Sequence, residues 1–160
     1  MTQATRSELQ QVIVASYFSI EERLVTLDLE EVLLHQYERN HRLYYVASGK
    51  VIGILPDRPI TQPIFEAQAG SFVGVYSFFS SDHQSYSQVQ ATEATQLYYY
   101  DEDPWEHQSA DAGQLLSFLF HIVVMELRSR QQFAGRMAQE YQESMNKLIK
   151  TEKLATLGQL

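Results

Sequence analysis

The chain has no cysteine, so disulfides and thiolate metal sites are excluded outright. Positive charge is scarce: 12 Lys and Arg stand against 20 Asp and Glu, for a formal net charge of −8 over 160 residues. Such a balance repels phosphate backbones and anionic lipid heads unless a local basic patch intervenes. The nearest thing to one, Arg128, Arg130 and Arg136, lies among Glu126 and Glu140 and reads as a solvated helix face. Long apolar runs are also missing. The strongest, Leu115 to Leu127, is broken by Ser117, His121 and Glu126, whereas a bilayer span takes roughly 20 residues. The start, MTQATRSEL, lacks the basic-then-apolar layout of a secretory signal. These absences argue against nucleic-acid binding, membrane insertion and secretion, and point to a cytoplasmic protein. What is present is 44% hydrophobic residues, enough for one core plus an appended element.

Residues 6 to 30 read as helical. Ser19 followed by Glu22 fits a capping box ahead of a short helix from Ile20 to about Thr26. From Val32 to Tyr100, short apolar or alternating runs are separated by turn residues, and the pattern predicts strands near 32–38, 42–48, 50–55, 63–68, 71–76, 86–92 and 95–101. Gly49 and Gly70 fall where tight reversals call for a positive φ. Pro56, Pro59 and Pro63 confine their segment to a surface loop, because proline has no N–H to give to a ladder.

Asp103-Pro104 can cap and open a helical turn. From about Asp111 to Leu160 proline is absent and apolar residues recur at three and four. Leu116, Phe120, Val123, Leu127, Arg130, Ala134, Met137, Tyr141 and Leu148 follow a heptad seam, and Ser144 and Met145 compete where the register slips. Fifty such residues extend about 75 Å. The first part must cover the β domain and the remainder must pair, most simply with a second copy. The expected division is helices over 1–30, a β roll over 31–103, helices packing on the roll over 104–135 and a coiled-coil signalling linker over 136–160.

The order of short helices, β roll and long helix resembles the cyclic nucleotide-binding domain of the catabolite activator type. Leu43 to Val51 (LYYVASGKV) is similar to that family's L-Y-x-I-x-S-G-x-V, and Gly70 to Gly74 (GSFVG) to its G-x-x-F-G with the aromatic displaced by one. Ala91 stands where the family has the alanine of its next strand. The resemblance implies a mainly β, α+β fold: a jelly-roll-like β roll with short N-terminal helices and a long C-terminal dimerisation helix. It also places a degenerate pocket at Gly74, Val75, Tyr76, Ser85, Tyr86 and Ser87. Where the family has a Glu for the ribose hydroxyl this chain has Val75, and where it has an Arg for the cyclic phosphate this chain has Ser85. Two family glycines are replaced by Glu30 and Tyr37. A desolvated phosphate needs an opposite charge or several donors, so binding of cAMP or cGMP in the family's manner is not expected. His83 is the nearest substitute cation.

Other chemistry has a plainer explanation. His35, His41, His83, His107 and His121 show no metal-ligand spacing. No metal or cofactor is implied, with haem on His121 or another small ligand left as an alternative. The clusters Tyr44-Tyr45, Tyr76-Phe78-Phe79 and Tyr98-Tyr99-Tyr100 suit core filling as well as a cavity wall. Asp101-Glu102-Asp103 and Glu21-Glu22 have no nucleophile beside them, so catalysis by this chain is not expected.

Lys153 to Leu160 (KLATLGQL) resembles the entry to the dimerisation helix of sensor histidine kinases, just ahead of the phosphoacceptor box. That resemblance implies a cytoplasmic two-component input domain that homodimerises and acts on a response regulator through a kinase part beyond Leu160. The alternatives are the ligand-sensing domain of an activator-type transcription factor and a ligand-free interaction module.

Overall fold

A computed structural model describes residues 3–103 and 112–158. Helix α1 (Gln3–Tyr17) leads through a 3-10 turn at Glu21–Arg23 into strand β1 (Leu24–Leu27). Then follow β2 (Val32–Leu34), β3 (Leu43–Ser48), β4 (Lys50–Ile54), β5 (Phe65–Gln68) and β6 (Phe72–Val73). A short helix α2 (Val75–Phe79) precedes β7 (Gln88–Ala91) and β8 (Thr95–Tyr100), and α3 (Ala112–Gly158) ends the described chain. The strands form two antiparallel four-stranded sheets, ordered β1-β8-β3-β6 and β2-β7-β4-β5. This is the expected β roll with a long C-terminal helix.

Strand alternation divides the core in two. Tyr44, Val46, Val51, Phe65, Val73, Val89 and Leu97 meet between the sheets as one buried cluster. The intervening residues Leu43, Phe72 and Tyr100 turn to the other face of the first sheet, where Ile13 and Phe18, with Leu115, Phe118, Leu119 and Ile122 of α3, cover them. Rings dominate this second cluster, with Phe18 5.3 Å and Phe118 5.8 Å from Phe72, both edge-on. Of the Tyr98-Tyr99-Tyr100 run, Tyr99 packs against the inter-sheet cluster and its neighbours against the helical one. The aromatic clusters are therefore largely packing.

Four expectations are corrected. The helix read over 20–26 does not form. Ser19 turns its hydroxyl back to the Ala15 carbonyl instead of capping, the 3-10 turn has no side-chain cap, and Leu24–Leu27 pair with Tyr98–Thr95 as an edge strand. The strand read over 71–76 stops at Val73, where Gly74 enters the left-handed region and starts α2. The strand read over 32–38 ends at Leu34, ahead of the positive φ at Tyr37. Gly49 has the expected positive φ (87°), but β3 and β4 lie in different sheets, so it turns a corner between them rather than closing a hairpin. The helix start read at Asp103-Pro104 lies outside the described residues.

Helix α3 is continuous for 47 residues, about 70 Å at 1.5 Å per residue. The residues it buries toward the roll, Leu115, Phe118, Leu119, Ile122 and Phe133, lie beside the expected seam and not on it. Of the seam, Leu116, Val123 and Met137 are half-buried, while Phe120, Leu127, Ala134, Tyr141 and Leu148 are exposed. Among the described residues no helix is long and apolar enough to cross a membrane.

Candidate ligand site

The segment that would hold a ligand runs from β6 through Gly74 and α2 to Ser87. Gly74 has φ 80°, and a Cβ there would lie 2.8 Å from Asn40 Nδ2 and 2.9 Å from the Arg42 carbonyl. Only glycine fits both demands. Asn40 is buried and fixes the turn: its amide donates to the Arg42 carbonyl (2.7 Å) and to Ser77 Oγ (2.9 Å), and its oxygen accepts from the Arg42 N–H (3.1 Å). Ser77 in turn donates to the Gly74 carbonyl (3.2 Å). His83, itself at φ 52°, places Nδ1 2.9 Å from the Ser77 carbonyl. A carbonyl only accepts, so that nitrogen carries the proton. Neither Asn40 nor Ser77 had a short-range signal in the sequence.

The six residues read as a degenerate pocket are split between core and surface. Val75 is 5% exposed and belongs to the apolar cluster shared with α1 and α3. Ser85 is 6% exposed and fully engaged: its hydroxyl donates to the Ser87 carbonyl (2.7 Å), its N–H to the Glu38 carbonyl (2.9 Å), and its carbonyl accepts from Tyr37 N–H (2.6 Å). Ser87 is buried beside it, whereas Tyr76 and Tyr86 project outward. The donors of Ser85 are thus spent on the chain itself, while a cavity of about 660 Å³ lined by Leu27, Leu34, Arg39, Arg42 and Tyr44 opens beside the inter-sheet core.

His83 does not replace the missing cation. Its ring lies 4.1 Å from that of His41 at the edge of a cavity of about 360 Å³ whose other walls include Asp101, Glu102 and Asp103. Acidic walls disfavour an anion. Asp82 is held below the usual carboxylate range by the Gln84 N–H and the Ser80 hydroxyl. Among the described residues no three His, Asp or Glu side chains gather where a metal ion could bind.

Arg130, read as part of a solvated face, is built into the roll. Its guanidinium lies 4.5 Å from the centroid of the Phe65 ring, and its Nε donates to Glu126 at 3.0 Å. Phe65 can lie there because Gly53 has no side chain: a Cβ on Gly53 would stand 2.0 Å from the ring. Burial pushes the Glu126 carboxyl above its usual range, and Arg130 opposes the shift. A cleft of about 290 Å³ opens between α2 and α3, walled by Val75, Tyr76, Phe79, Val123, Leu127 and Arg130.

Two antiparallel sheets with a short helix between β6 and β7 and a long C-terminal helix define a β roll covered by helices. A sequence model of the cyclic nucleotide-binding domain matches residues 24–110, more than half of the chain. The chain belongs to the cyclic nucleotide-binding domain family. Its fold is similar to a cyclic nucleotide-binding domain from Methylobacillus flagellatus (TM-score 0.61, 17% identity, 77% of this chain and 69% of that one). It is also similar to the c-di-GMP responsive global regulator CLP of Xanthomonas campestris (0.63, 16%, 81% and 62%) and to the catabolite activator protein of Thermus thermophilus (0.57, 19%, 78% and 55%). The chain therefore spans somewhat over half the length of those two regulators. No curated protein matches it at a significant level.

Proposed function

We propose that this domain is the regulatory input of a cytoplasmic two-component sensor histidine kinase, unable to bind cAMP or cGMP in its family's manner, and dimeric through α3. The observation that carries the reading is the fate of the two anchor positions: Val75 is consumed by apolar packing and Ser85 by chain-to-chain hydrogen bonds. A cyclic phosphate placed there would be desolvated without a counter-charge, which costs several kcal/mol. The kinase assignment is supported by the similarity of Lys153 to Leu160 to the kinase dimerisation entry, on a helix that runs unbroken from the roll to Gly158. A change in how Leu115 to Ile122 pack on the roll would be transmitted along that rod to a kinase acting on a response regulator.

The test is autophosphorylation of the full-length protein, with calorimetric titration of cAMP and cGMP into the domain. Effector-dependent phosphorylation without cyclic nucleotide uptake is the expected result; micromolar uptake overturns the reading. A second reading, a transcription regulator, is favoured by the fold likeness to CLP and the Thermus protein. A winged helix-turn-helix after α3 in the gene decides for it, and a histidine box decides against it.

A further inference from the structure

Helix α3 carries two apolar stripes. At 100° per residue, Leu115, Phe118, Leu119, Ile122 and Phe133 share the face turned to the roll. Phe120, Leu127, Tyr141 and Leu148 share a second face centred roughly a quarter-turn away, and all four are exposed, Phe120 at 67%. The second stripe extends about 42 Å from Phe120 to Leu148, which no small ligand can cover. An element as long as α3 itself is needed, and another copy of α3 supplies one with matching period.

Leu127 belongs to this stripe and also walls the cleft between α2 and α3, opposite Tyr76 and Phe79. Those two aromatics are 57% and 38% exposed. Whatever lies on Leu127 therefore faces them. Arg130 is the one charged member of the seam, and it is drawn toward Phe65 and paired with Glu126, so its charge does not confront its own counterpart across a two-fold axis.

Resting on the α3 pairing proposed above, we infer that the cleft receives the α3 helix of a second copy of this chain, making Tyr76 and Phe79 of α2 part of the interface between protomers. Helix α2, which carries Val75 and Tyr76 of the expected pocket, then touches the partner's rod directly. A shift of α2 in one protomer is read by the other, and by two-fold symmetry the reverse also holds.

Sedimentation velocity of the full chain over a concentration series tests this with Leu127→Ser, the double variant Tyr76→Ser/Phe79→Ser, and Ile60→Ser as an exposed loop control. The first two are expected to weaken dimerisation by at least about tenfold, and the control not at all. Undiminished dimerisation of the double variant beside a dissociated Leu127→Ser removes α2 from the interface while leaving the helix pairing intact. A monomeric wild-type chain overturns both. Because the chain has no cysteine, a polarity-sensitive dye on Tyr76→Cys gives a second readout. Its emission should shift to the blue as dimer forms, and an unchanged spectrum across the dimerisation range counts against the inference even if the serine variants fail to fold.

Discussion

Tyr37 and Glu30 hold φ of 65° and 69°, a region that costs an L-residue about 1–2 kcal/mol. Neither side chain has a described hydrogen bond that would offset this, and Tyr37 is 62% exposed. Their N–H groups are engaged, Tyr37 to the Ser85 carbonyl at 2.6 Å and Glu30 to the Ala91 carbonyl at 2.9 Å, and glycine would keep both bonds. Tyr37→Gly should therefore relieve the strain, less about 0.4–1 kcal/mol for the freer unfolded chain. The net is about 1 kcal/mol of added stability, or about 2–4 °C in melting temperature for a chain of this size. Urea unfolding followed by circular dichroism measures it, with an unchanged m-value and Tyr37→Ala, which keeps the strain, as the control. A lower urea midpoint for Tyr37→Gly than for wild type refutes the reasoning, because the tyrosine side chain would then contribute more than its backbone costs.

Phe118→Ala, which removes a buried ring between Phe72 and α3, should cost about 3–5 kcal/mol in urea unfolding; a loss below 1 kcal/mol would mean that α3 is not docked on the roll. Tyr100 is buried, its hydroxyl lacks a hydrogen-bond partner among the described residues, and burial, reinforced by Glu102 and Tyr17, pushes its pKa up to about 12. The fold thus favours the neutral phenol, so this contribution is fully present below the ordinary value of 10.0 and is lost as pH rises from there to about 12. Tyr100→Phe should flatten stability against pH in that window without lowering it at neutral pH; parallel wild-type and variant curves would contradict this.

Much of the roll was legible because its punctuation is chemical. Gly49, Gly70 and the prolines of 56–63 mark chain reversals that other residues make poorly, and the replaced family glycines at Glu30 and Tyr37 turned out to be left-handed. Strand β1 was hidden because Leu24–Leu27 become a strand only by pairing with β8, some seventy residues later. Helix α2 was hidden because VYSFF has strand-like composition. Its conformation is set by Gly74 and by the bond between Ser77 and the distant Asn40, so tertiary context overrides propensity. In the candidate site, that Val75 and Ser85 carry no charge could be read directly. The position of Arg130 could not, since helical periodicity places a residue on a face without saying that Phe65 and a side-chain-free Gly53 lie beneath it.

On the proposed reading the causes that keep cAMP and cGMP out are spread over the structure, so one substitution should not reverse them. Ser85→Arg supplies the missing guanidinium, yet position 85 is buried and its backbone is locked to Tyr37 and Glu38. The Ser85 hydroxyl is committed to the Ser87 carbonyl. Val75 still offers nothing to a ribose, because it packs between helices. The new cation would then be buried without a partner, costing several kcal/mol. The expected outcome is a markedly lower melting temperature and no heat on titration with cAMP. Micromolar cAMP binding by Ser85→Arg with an unchanged melting temperature would mean that the roll has kept an open anion site and lost only its charge.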